Sequence, residues 1–205
     1  MPYMTPAQHQ QHAATARTWF TKAHEQFPGH PWFLRNWAQH EMEQGNRDGA
    51  IAKLTEMERL DPLNLTAYQE WSKFAYVDPV MRASALAAMR RGLAAFPPGS
   101  DAAAALYQAR VEIPRNAGEY GPALSAALEF TSQQPERLRA WRELCELYER
   151  GGRRDLAISN AQLILAKVAD RKLGPAEEAD RAALAALTQR LSQLPAQPPM
   201  TAAGR

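Results

Sequence analysis

Four stretches of the chain carry the same two marks at nearly the same spacing. A small residue stands twelve positions before a proline at Ala16 and Pro28, Ala50 and Pro62, Ala85 and Pro97, and Ala123 and Pro135. A fifth copy keeps the small residue, Ala157, without its proline. The five alanines are separated by 34, 35, 38 and 34 residues. Self-similarity at such a period marks stacked supersecondary units, because one unit cannot bury its apolar face alone and neighbours must share a core. Proline cannot continue a helix, so each one sets the turn into the next unit.

Each of the last four alanines is preceded by a second helical pattern, at residues 31–44, 65–76, 101–113 and 136–150. The first has Leu34, Trp37, Ala38 and Glu41, the second Tyr68, Trp71, Ser72 and Ala75, and the last Trp141, Leu144, Cys145 and Tyr148. Spacing of i, i+3, i+4 and i+7 lays one stripe along one helix face. Gly45 and the pair Gly151 and Gly152 follow two of these helices, where glycine supports a left-handed C-terminal cap. Asp78 and Pro79 read as an N-cap followed by proline at the first helical position. Ile113 to Gly118 is read as a lengthened turn inside the third unit.

Composition agrees with an all-helical chain. Alanine supplies about one residue in five and there are 11 glycines among 205 residues, which favours helix on entropic grounds. Runs of Val, Ile and Thr are few, so a large sheet is excluded. One cysteine, Cys145, excludes a disulfide framework and a cysteine-based zinc site. No run nears 18 apolar residues, so no membrane insertion is expected. The first residues carry no apolar core of a secretory signal. With the single cysteine, that places the expected location in the cytoplasm.

These residues resemble the tetratricopeptide repeat family, a helix–turn–helix unit of 34 residues. Residues 31–64 match through Leu34, Ala38, Gly45, Ala50, Leu54, Met57 and Pro62. Residues 138–171 match through Trp141, Leu144, Tyr148, Gly152 and Ala157. The unit at 65–99 also resembles the half-a-TPR variant through Trp71, Phe74, Arg90, Arg91 and Pro97, and the unit at 100–137 is degenerate. The resemblance implies a right-handed α-α superhelix of about four helix pairs. It would form one domain over 1–194, closed by a capping helix at 175–194 and followed by a disordered tail at 195–205.

The two ends depart from the repeat. The first helix, about Pro6 to Phe27, matches only the second helix of a pair. Either the chain is cut from a longer solenoid, or this helix folds onto the first full repeat, or its face, with Trp19 and Phe20, packs on a second protomer. The last helix opens with Pro175 and the carboxylates Glu177, Glu178 and Asp180, which suit the positive end of a helix dipole. Leu184, Leu187, Leu191 and Leu194 form its apolar stripe.

No catalytic constellation emerges, and the chain is expected not to be an enzyme or to carry a cofactor or metal. His9 and His12 sit three apart but have no third ligand nearby. Cys145 occupies a small-residue packing position and reads as a core thiol. Arg137, Arg139, Arg142, Arg150, Arg153 and Arg154 are interleaved with acids, as on a solvated face. Arg82, Arg90, Arg91, Arg110 and Arg115 form a second group with little compensating acid nearby, which keeps an RNA-associated scaffold as an alternative although nucleic acid is disfavoured overall.

The resemblance further implies that the first helices of the pairs line a concave groove binding a protein or peptide segment. Carried over position by position, that groove is offered by Trp32, Arg35, Gln39 and Glu43, then Gln69, Lys73 and Tyr76, then Gln108, then Arg139, Arg142 and Glu146. Aromatic, amide and arginine side chains suit recognition of an extended or helical segment. The clamp by which some relatives hold acidic chaperone tails is not reproduced. Arg35 and Gln39 replace its first Lys and Asn, Glu70 stands near its second Asn, and alanines fill its third repeat. The expected function is a non-catalytic adaptor or scaffold, with an accessory repeat domain of a larger enzyme or of a secretion or assembly complex as a further alternative.

Overall fold

The computed structural model describes residues 5–195. Ten helices follow one another: α1 (Pro6–Gln26), α2 (Pro31–Glu43), α3 (Arg47–Leu60), α4 (Leu65–Val77), α5 (Met81–Ala95), α6 (Asp101–Asn116), α7 (Tyr120–Gln133), α8 (Leu138–Arg150), α9 (Arg154–Lys167) and α10 (Pro175–Ser192). No strand occurs among the described residues. The chain divides into two compact units, residues 1–119 and 120–205, a division that falls inside the stretch read as the third repeat.

In the first unit, α2 packs on α3, α4 on α5, and α5 on α6. Connections of a few residues make such neighbours antiparallel hairpins. The same sense is visible between α1 and α2. Arg17 meets Glu41, Phe20 meets Trp37 and Phe27 meets Phe33, so the numbers rise on one helix as they fall on the other. Alternate helices contact as well, α2 with α4, α3 with α5, and α4 with α6. One core runs through the unit, built on Leu34, Leu54, Tyr68, Trp71, Met89 and Leu106.

The second unit repeats the scheme on a smaller scale. α7 packs on α8, α8 on α9, and α10 on both α9 and α8. Arg142 meets Asp180 and Glu149 meets Arg190, so α10 runs parallel to α8. Leu138, Cys145, Ala157, Ile164, Leu184, Leu187 and Leu191 close its core, while Leu194 lies exposed beyond the last turn.

The recurring alanines sit at the helix contacts. Ala50, Ala85, Ala123 and Ala157 are each 0% exposed. A methyl group is all these positions admit, which lets the paired helices approach closely. Ala16, the equivalent residue of α1, stays partly exposed.

Local signals set the helix ends. Asn46, Asn64 and Ser100 accept backbone N–H bonds from Gly49, Thr66 and Ala103 as N-caps. Gly45 (φ 72°) and Gly152 (φ 70°) turn the chain between the members of a pair in a conformation that a side chain would strain.

Two local expectations are corrected. Asp78 does not start α5. It ends α4, its carboxylate accepts the Val80 N–H at 2.9 Å, and Arg47 pairs with it from α3. The helix α6 continues to Asn116 with Pro114 inside it, so the turn before α7 is short. The tail expected at 195–205 lies, apart from Pro195, outside the described residues. Among the described residues no helix is long and apolar enough to cross a membrane.

Candidate functional site

A groove lies in the first unit between the parallel helices α4 and α6. It encloses about 270 Å³, room for one large side chain. Leu65, Ala105, Leu106 and Ala109 supply apolar lining, and Gln69, Lys73, Tyr76, Gln108 and Glu112 bring polar groups to it. The small residues Ala105 and Ala109 open the groove; a longer side chain at either place would fill it. Four of the residues expected from the sequence, Gln69, Lys73, Tyr76 and Gln108, therefore line one cavity.

Glu112 organises one end of this groove. Its carboxylate accepts the Tyr76 hydroxyl at 3.1 Å and the Gln108 amide at 2.7 Å, and Arg115 stands 3.8 Å away. Glu70 of α4 lies outside the lining and pairs toward α2. It is buried, and one of its oxygens receives both Arg35 of α2 at 2.9 Å and Lys73 at 2.7 Å. Two half-exposed cations thus share one buried carboxylate, and of the three groups only Lys73 reaches the groove. Glu112 is not among the groove residues expected from the sequence. A glutamate on a mixed-sign helix reads as solvated until its partner on the next parallel helix is known.

The other expected residues of the first unit lie on α2. Trp32, in its first turn, is 58% exposed and packs edge-on against Phe33. Gln39 donates to Glu43 along the helix at 3.0 Å. In the second unit the expected residues serve the contact between α8 and α10. Arg142 pairs with Asp180 at 2.7 Å and with Glu146 at 3.2 Å. Arg139 pairs with the fully buried Glu143 at 3.1 Å and with Asp180 at 3.6 Å. Beside them a second cavity of about 280 Å³ is lined by Glu146, Glu149, Arg150, Leu187 and Arg190.

Three of the five arginines read as uncompensated have acidic partners. Arg82 binds Glu119 at 3.1 Å, Arg91 binds the buried Glu58 at 2.5 Å, and Arg115 stands by Glu112. Arg91 thereby ties α5 to α3, and the three pairs consume charge that a phosphate-binding face needs. Cys145 is buried, and burial pushes its thiol up to about 12. Among the described residues no group of three or more His, Cys, Asp or Glu is placed to hold a metal ion.

No family model matches the chain, and no curated protein matches it. Solved structures similar to it include MamA, at 23% identity over 79% of this chain and 92% of that one, with a TM-score of 0.49. TTC0263, a thermophilic TPR protein of Thermus thermophilus, is 19% identical over 86% of this chain and 91% of that one, with a TM-score of 0.49. YrrB, a TPR protein described as having an unusual peptide-binding site, is 16% identical over 85% and 98%, with a TM-score of 0.42. The helix hairpins of this chain, repeating at about 34 residues with a buried alanine in each second helix, make its fold tetratricopeptide-like.

Proposed function

We propose that this chain is a non-catalytic adaptor that holds a segment of a protein partner on the first helices of its pairs, with the groove between α4 and α6 as the anchor. The observation that carries this reading is the groove itself, an apolar cavity of side-chain size with a polar rim of Gln69, Lys73, Tyr76 and Gln108. An apolar side chain of the partner enters the cavity, where desolvation supplies the affinity. The rim amides answer the polar groups of its main chain, which gives orientation.

The charged groups of the rim favour polar residues beside the anchor. Lys73 favours an acidic residue, Glu112 favours a donor, and Arg35, on the α2 side of α4, is proposed as flanking surface. The pairing of Arg82, Arg91 and Arg115 with carboxylates favours a protein partner over nucleic acid. Trp32, Gln39 and Glu43, and in the second unit Arg139, Arg142 and Glu146, are proposed as flanking surface.

The test is a phage-displayed peptide library selected on the full chain, with the best binder measured by fluorescence anisotropy. Ala105→Phe fills the groove and should weaken that peptide by about tenfold or more, roughly 1.4 kcal/mol, with the helical circular dichroism unchanged. A peptide that binds Ala105→Phe as well as the parent chain overturns the reading.

A further inference from the structure

The helix α1 is attached differently from every other helix. None of its residues is buried, and Trp19 is 70% exposed. The side chains it turns inward, Ala13, Ala16, Phe20, Ala23 and His24, stay partly exposed. Its hold on α2 and α3 is a short series of specific contacts. Arg17 donates twice to Glu41, at 3.0 and 2.7 Å. Phe20 stacks on Trp37 with centroids 5.9 Å apart and also meets His40. His24 stands edge-on to Trp37 and 3.3 Å from Glu56. Phe27 stacks on Phe33.

The receiving face is built without α1. The Glu41 carboxylate is held by Trp37 Nε1 at 3.0 Å and by Asn46 Nδ2 at 2.5 Å, both from the α2–α3 hairpin. Lys53 of α3 lies over the Trp37 ring, 4.0 Å from its centroid. This is a preformed acceptor, an oriented carboxylate beside an aromatic surface. It matches a helix with an arginine followed at three, seven and ten positions by Phe, His and Phe, as in Arg17, Phe20, His24 and Phe27.

We propose that the α2–α3 face around Glu41 is a helix-binding site, occupied in this structure by the chain's own α1 and open to exchange with α1 of a second copy. The occupant is set by complementarity. Arg17 answers Glu41 and the two phenylalanines answer Trp37 and Phe33, and a second copy carries the same series. A helix with no buried residue opens at low cost compared with the core helices, so the face is released without unfolding α2 to α6. This site is separate from the groove between α4 and α6, and the partner reading can fail without touching it.

The experiment uses a fluorescent peptide of residues 5–27 and the full chain carrying Arg17→Glu, whose own α1 has lost its hold on Glu41. The parent peptide should bind this chain saturably. It should bind the unsubstituted chain more weakly, because there the tethered α1 competes at high effective concentration. A peptide carrying Arg17→Glu should bind about tenfold or more weakly than the parent peptide. Equal binding of the two peptides, or no binding of the parent peptide at about 1 mM, overturns the proposal. Hydrogen exchange of the unsubstituted chain gives a second reading that needs no variant. The amides of α1 should exchange about tenfold or more faster than those of α4, and equal rates would overturn the proposal as well.

Discussion

At the scale of single residues, close approach decides what is tolerated. Gly92 of α5 faces α4 and α6 so tightly that a Cβ there would lie 2.6 Å from Leu106 Cδ1 and 2.8 Å from Tyr68 Cε1. Gly92→Ala is therefore expected to destabilise the first unit by about 1–3 kcal/mol through overpacking, despite the gain in helix propensity. Thermal unfolding followed by circular dichroism checks this, and a raised midpoint would contradict it. Cys145 gives a second prediction. Its thiol is buried and pushed up to about 12, so the folded chain holds almost no thiolate at pH 8. Ellman's reagent should leave it unmodified until denaturant is added.

The same scale shows what could be read in advance. The alanines at 50, 85, 123 and 157 were legible because a small residue at fixed spacing has one physical reason, a helix crossing. The buried carboxylates were not. Glu41 was placed on the packed stripe of α2 by its spacing, but nothing local said that Arg17, Trp37 and Asn46 would all donate to it. Arg35, Arg139 and Arg142 are expected in the groove, and their pairing with Glu70 and Asp180 depends on which helices become neighbours.

At the scale of helices, charge pairs tie elements across the repeat. Arg91 of α5 holds the buried Glu58 of α3 through two hydrogen bonds. Removing the arginine leaves a desolvated carboxylate, while Arg91 itself is half exposed and screened. Arg91→Leu should therefore cost on the order of 1 kcal/mol. The double substitution Glu58→Leu with Arg91→Leu should recover much of that loss, and unfolding in urea reads the difference. Glu41 adds a pH dependence. Burial alone would push its carboxyl up, but the donors from Arg17, Asn46 and Trp37 outweigh it and hold it below the usual glutamate range. A depressed folded value contributes stability that is full above the unfolded value of about 4.3 and is lost as the pH falls through the folded one. His24, His40, Lys53 and Glu56 surround this pair. Protection of the α1 amides should decline below about pH 4 in the parent chain and lose that step in Glu41→Gln.

At the scale of the whole molecule, the chain falls into two compact units that each build their own core. In arrays of this kind stability is a sum of local and nearest-neighbour terms. Ala50→Trp, at a fully buried position of α3, should lower hydrogen-exchange protection in α2 to α4 and leave α8 to α10 close to the parent. Ala157→Trp should do the reverse. Uniform loss along the chain in either variant would show a single cooperative body instead. The succession of helices was legible from the period. The division after Glu119 was not, since α6 and α7 belong to one stretch in the repeat register.

The charge pairs also bear on how such a chain can change over generations. Glu41 is matched to Arg17, Glu70 to Arg35, Glu58 to Arg91, and Asp180 to Arg139 and Arg142, each at a different level and with a different geometry. Copying or deleting one hairpin in frame would seat a carboxylate against the wrong neighbour and strand its old arginine. The hairpins look like interchangeable beads but are keyed to their positions. Descendants of this sequence should lengthen or shorten only where both members of a pair move together.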